Sequence, residues 1–181
     1  MKSIHIVILV GLGVLLSCQP KSERAARADE DLDMVKSLFS DIPTYLVGKE
    51  IQKTIRLDGV DEKRVFVVDS ILIDQDLKVL DGKDMIRVFT NGGYNKTTTD
   101  SLISYERKLG EKQGPLSMSI KKTNDQVDIE LVGASDNVLF HSEVRRKYKF
   151  ENGMLSRYQI HGMQQVTGKQ PSRYEVVGIV N

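Results

Sequence analysis

The 181-residue chain has no tryptophan, a single cysteine, four prolines and only eleven aromatic side chains, six Tyr and five Phe. One cysteine permits no disulfide within the chain and no cysteine-based metal site. No apolar run reaches the roughly 20 residues that a spanning helix needs. Charge of either sign is not in surplus: 26 Lys and Arg stand against 25 Asp and Glu. Without residues 1–17, which hold Lys2 and no acid, the balance is 25 to 25, net zero. Nothing in that balance steers the chain toward nucleic acid or an anionic membrane surface, so no nucleic-acid partner is expected. Low-complexity tracts are missing as well. The length after residue 17 is that of one domain, expected over 29–181.

What is present begins at the N-terminus. Met1-Lys2 gives a short positive start, and Ile4 to Leu16 is apolar apart from His5, Gly11 and Gly13. A charged start before a 7–15-residue apolar core is the pattern of a secretory signal. The core ends in Leu15-Leu16-Ser17-Cys18. This resembles the lipobox of bacterial lipoproteins, in which a branched apolar residue, a tolerant position and a small residue precede the lipidated cysteine. The resemblance covers the first 18 residues. It implies removal of a signal peptide at 1–17 and lipidation of Cys18. A lipid anchor is then the expected partner of the membrane. Several acyl chains on one residue would hold it there, since each buried CH₂ contributes about 0.8 kcal/mol. Gln19, rather than Asp, follows the cysteine, which by the same resemblance implies the outer membrane; no early acidic run marks surface export, so the expected side is periplasmic. Residues 18–28, polar and basic with no apolar period, read as the lipidated cysteine and a flexible tether.

From Asp29 the pattern is that of a folded domain. Asp29, Glu30, Asp31 and Asp33 load a helix start with acids, where the macrodipole favours them. Leu32, Val35, Leu38, Phe39 and Ile42 repeat at helical spacing, and the helix should stop near Ser40–Pro43. Ile51, Lys53, Ile55 and Leu57 then alternate with polar residues up to Asp58-Gly59, so 50–69 reads as a hairpin. Residues 74–91 fit a second helix through Leu77, Leu80, Met85, Val88 and Phe89, although Asp81-Gly82 also suits a strand turn. Asn95–Asp100 reads as a polar loop. Strands are expected at 102–108, 116–122, 126–132, 138–150, 154–161 and 172–180, separated by turn-forming segments that include Gly133–Asn137 and Asn152-Gly153. The fold class is therefore α+β: an N-terminal helix, with the possible second one near 74–91, packed on a curved antiparallel sheet of about 6–8 strands.

A broader resemblance rests on Phe89-Thr90-Asn91-Gly92-Gly93-Tyr94-Asn95-Lys96 and on the tail Tyr148, Phe150, Gly153, Leu155, Tyr158, Ile160, Gly162, Gln164, Tyr174, Glu175, Val176 and Gly178. These segments look like those of small uncharacterised Gram-negative envelope lipoproteins, and together cover most of the domain. The chain departs from that pattern in lacking tryptophan and in the stretch Ile71 to Leu80. The resemblance implies fold and localisation only.

The search for chemistry returns little. Asp29-x-Asp31-x-Asp33 opens like a calcium loop, but Met34 occupies the glycine position and Ser40 the twelfth. Asp74-x-Asp76 runs into Lys78 and Val79. Both clusters read as solvated helix ends. His141 and His161 lack paired spacing, no GxSxG elbow occurs, and Gly168-Lys169 lacks the preceding P-loop glycine. No catalytic residue, cofactor or metal is expected, and a non-enzymatic role follows.

One hairpin offers a candidate ligand face. With Asn152-Gly153 as a two-residue turn, Phe150 would face Leu155, Tyr148 Arg157, Arg146 Gln159, and Val144 His161. Arg146, Tyr148, Arg157, Gln159 and His161 would then share one face and could meet an anionic or carbonyl ligand. The competing reading is an ordinary solvent face. For function, a non-catalytic binding module for an envelope protein stands beside a carrier of a lipid or other apolar small molecule, held in a cup of the curved sheet.

Overall fold

The computed structural model describes residues 29–70, 77, 88–112 and 114–181. The expected signal peptide, Cys18, the tether and most of the 74–91 segment lie outside the described residues. Asp31–Asn181 forms one compact unit.

Two helices precede the sheet, α1 (Glu30–Ser40) and α2 (Ile42–Leu46). α1 ends at Ser40, within the expected Ser40–Pro43 window, but Ile42 before the proline is itself helical, and Pro43 occupies the first turn of α2, where a missing N–H costs nothing. Nine strands follow: β1 (Glu50–Leu57), β2 (Val60–Val67), β3 (Tyr94–Thr98), β4 (Leu102–Arg107), β5 (Ser117–Lys122), β6 (Gln126–Asp136), β7 (Phe140–Glu151), β8 (Met154–Val166) and β9 (Ser172–Val180). They make one antiparallel sheet in the order β2-β1-β9-β8-β7-β6-β5-β4-β3. The last seven strands form an uninterrupted meander, and the β1–β2 hairpin closes onto β9.

The expected hairpin at 50–69 is present, and its Asp58-Gly59 turn takes φ of 47° and 90°, the left-handed pair that a type I′ turn needs. Asn152-Gly153 does the same with 52° and 78°. The sheet has nine strands instead of six to eight for two reasons. The expected loop at Asn95–Asp100 holds most of β3, a polar Thr-rich edge strand whose partner among the described residues is β4; β-branched threonines suit such an edge. The β1–β2 hairpin also joins the seven-stranded meander through β9, giving the eighth and ninth strands. Gly133–Asn137, expected as a separator, mostly extends β6: Gly133 pairs with Val144 and Asp136 with His141. The turn lies two residues later, where the Asn137 side-chain oxygen accepts the amides of Leu139 and Phe140 at 2.9 and 3.0 Å.

Alternation along each strand gives the sheet two unlike faces. On the core face Ile103, Ile120, Ile129, Tyr148 and Tyr158 lie in one cross-strand row, and all five are buried. α1 covers this row with Leu32, Val35 and Phe39. Phe39 sets its ring edge-on to Tyr148 and Phe150, at 5.2 and 5.3 Å between centroids. Leu77 and Phe89 are buried in the same core. The acid-rich helix start is more than a solvated end: Asp31 pairs with Lys96 of β3 at 2.7 Å and Lys122 of β5 at 2.6 Å. Burial alone would raise the Asp31 carboxyl, but the hydrogen bonds and charges of the two lysines outweigh it and hold it below its ordinary range.

Two glycines make room for tyrosine rings on this face. A Cβ at Gly178 would lie 2.1 Å from Tyr158 Cε1, and one at Gly162 would lie 2.0 Å from Tyr174 Cζ. β8 and β9 thus each lend the other a ring over a missing side chain.

Candidate functional site

The β7–β8 hairpin carries the expected ligand face, and its register departs from the simple one in a decisive way. Phe150 pairs with Leu155 as expected, but Lys149 pairs with Arg157, leaving Ser156 as an extra residue in a β-bulge. Beyond the bulge every pairing moves by one residue: Tyr148 meets Tyr158, Arg146 meets Ile160, and Val144 meets Gly162. A one-residue shift sends side chains to the opposite face. The five expected residues are therefore divided. Arg146 and Tyr148 lie on the core face; Arg157, Gln159 and His161 lie on the other.

Two groups hold the bulge. The Leu155 amide donates to the Tyr45 hydroxyl of α2 at 2.9 Å. The Ser156 hydroxyl donates to the Lys149 carbonyl at 3.2 Å. Both satisfy ladder groups that an extra residue would otherwise orphan. Tyr148 is a core residue, 2 % exposed, and burial pushes its phenol far above its ordinary pKa. It cannot meet a ligand from that position. Arg146 stands between Leu131 and Ile160 in its row, and its Nε is buried with no hydrogen-bond partner among the described residues.

The face opposite the core is polar and grooved. One cross-strand row runs Val132, Arg145, His161, Glu175, Arg56, Asp61. The next runs Glu130, Lys147, Gln159, Val177, Thr54. A third runs Lys121, Asp128, Lys149, Arg157, Ile179. A groove of about 840 Å³ lies against Arg145, Lys147, His161, Arg173 and Glu175. A second, of about 490 Å³, lies against Lys121, Lys147, Lys149, Arg157 and Gln159. Lys147 belongs to both, so the two adjoin at the middle of β7. By alternation the strand aromatics Phe66, Tyr94, Tyr105, Phe140, Tyr148, Phe150, Tyr158 and Tyr174 belong to the core face, although Tyr174 also borders the larger groove.

The acids that line the grooves are engaged within the chain. Asp58 accepts the Arg173 amide at 2.8 Å and the Ser172 hydroxyl at 2.9 Å, which hold its carboxyl below its ordinary range. Glu175 lies 3.4 Å from Arg56 and 3.6 Å from His161. Asp128 accepts from the Gln126 amide at 2.6 Å. Glu143 lies 3.4 Å from His141. Glu130 is shared by Arg145 at 3.3 Å and Lys147 at 3.4 Å.

The basic groups are less well matched. The side chains of Lys121, Arg157 and Arg173 make no hydrogen bond or ion pair with the described residues, and Arg145 and Lys147 divide one carboxylate. Lys149 stands directly opposite Arg157, a like-charged juxtaposition, and pairs with Glu151 of its own strand.

Sequence reading found Arg157, Gln159 and His161 but missed Arg145, Lys147, Lys149 and Arg173. The signal was available in Arg145-Arg146-Lys147-Tyr148-Lys149-Phe150, where cations recur every second residue. Among the described residues no three His, Cys, Asp or Glu gather to hold a metal ion, and no helix is long and apolar enough to cross a membrane. No family model matches the chain, and neither curated proteins nor solved structures yield a match.

Proposed function

We propose that this protein is a membrane-anchored envelope lipoprotein acting as a non-catalytic binding module, which docks its partner on the polar face of the sheet. The anchor is carried by the lipobox at Cys18. The docking face is supported by one observation above the rest: adjoining grooves in which Lys121, Arg157 and Arg173 meet no carboxylate of the described residues, while Arg145 and Lys147 share Glu130. Charge of that kind is costly to keep in a shaped recess unless something meets it there. An apolar cargo entering these grooves would strip water from arginine, lysine and carboxylate groups alike.

The test is capture from native membranes with the full lipidated chain as bait. Cys18→Ser should move the protein to the soluble fraction; a variant that stayed membrane-bound would refute the anchor. Arg145→Glu with Lys147→Glu should abolish capture of the partner held by the wild-type chain. Unchanged capture would place docking elsewhere on the molecule.

A further inference from the structure

We infer that the polar face binds an extended acidic polypeptide segment, laid along β7 with alternate carboxylates opposite Arg145, Lys147 and Lys149. The inference rests on the binding-module reading and gives that site its ligand chemistry.

Three observations point to this occupant. First, Arg145, Lys147 and Lys149 are alternate residues of one strand and form a straight ladder of cations. Alternate residues of any extended chain repeat at about 6.6–6.8 Å, so carboxylates at every second position of a bound segment match the ladder in both spacing and sign. Second, further cations flank the ladder on neighbouring strands: Lys121 of β5, Arg157 of β8 and Arg173 of β9, none engaged by a described carboxylate. Asp128 and Glu130, the acids between β5 and β7, already accept from Gln126 and from Arg145 and Lys147. Third, Arg157 stands directly opposite Lys149 across the β7–β8 ladder, and because Lys149 pairs with Glu151, Arg157 is the cation of the two that a bound carboxylate would meet. A pair of recesses is the wrong shape for a flat bilayer surface.

The probe is a fluorescently labelled dodecapeptide of alternating Asp and Ser, titrated against the full chain at low ionic strength and followed by anisotropy. Alternating Lys and Ser, and inorganic polyphosphate, serve as comparisons. The Asp-Ser peptide should bind with an affinity that falls steeply as salt rises. A chain carrying R145Q, K147Q and K149Q together should lose at least about tenfold, while K169Q, outside the grooves, should change nothing. All four side chains are surface groups, and an unaltered circular dichroism spectrum will show that folding is kept. Equal binding of the Lys-Ser peptide, equal binding to the triple variant, or tight polyphosphate binding without Asp-Ser binding would each overturn the inference. Failure here, with partner capture from membranes still sensitive to Arg145→Glu, would refute the acidic segment and leave the binding module standing.

Discussion

Gly178→Ala adds one methyl group and tests the core face more sharply than a large truncation would. The new Cβ would lie 2.1 Å from Tyr158 Cε1 and 2.2 Å from Cζ, where ordinary contact begins at 3.4 Å. The ring must therefore retreat by more than an ångström. Tyr158 is 1 % exposed, so it has no free space to enter, and overpacking of this kind costs about 1–3 kcal/mol. With a urea slope of about 2 kcal/mol per molar, the unfolding midpoint should fall by roughly 0.5–1.5 M. The same substitution in a Tyr158→Leu background should have the opposite sign. Leucine lacks the Cε and Cζ atoms that collide, and replacing Gly by Ala at a backbone that accepts it gains about 0.4–1 kcal/mol by restricting the unfolded chain. The glycine has no positive φ to forbid this. Urea unfolding of the four members of the cycle, followed by circular dichroism, measures the coupling directly. Equal destabilisation by Gly178→Ala in both backgrounds would refute the ring-over-glycine packing.

Three further perturbations probe the helix, the bulge and the charge ladder. The Asp31 carboxyl is held below its ordinary range in the folded state, so its stabilising contribution is present above that range and is lost as pH falls through the lowered value. Asp31→Asn should accordingly weaken the protein at neutral pH and flatten the acid limb of its stability profile; a parallel acid limb in the variant would contradict the pairing with Lys96 and Lys122. Tyr45→Phe removes the acceptor of the Leu155 amide and should cost about 1–2 kcal/mol, with faster amide exchange at Leu155 by NMR; unchanged exchange would mean the bulge is held otherwise. Arg157→Gln relieves the repulsion with Lys149 and should raise stability by about 0.3 kcal/mol at low salt, an increment that shrinks as salt is added. A loss of stability would show that Arg157 has a partner in the folded chain.

Much of the architecture was legible in the residues alone. Helical spacing from Leu32 to Phe39 marked α1 and its apolar side, and Asp58-Gly59 and Asn152-Gly153 marked two turns, because those signals act through neighbours a few residues away. β3 was hidden because Thr97 and Thr98 carry no apolar alternation at an edge. Gly133 looked like a turn, yet pairing with Val144 on the neighbouring strand satisfies its backbone within β6.

The candidate site was half legible. Alternation identified two faces on β7, but nothing in the hairpin said that β8 would change phase at Ser156. The spacing of Leu155 and Tyr158, three apart and both buried, is the trace a bulge leaves, and it is readable only once both are known to point inward. The local sequence thus determined the turn and the first pair, Phe150 with Leu155. The tertiary structure decided the rest, because the amide freed by the bulge finds its acceptor in Tyr45, 110 residues away in the chain. That one long-range hydrogen bond accompanies the shift that sends Arg157, Gln159 and His161 to the grooved face and leaves Arg146 and Tyr148 on the core face.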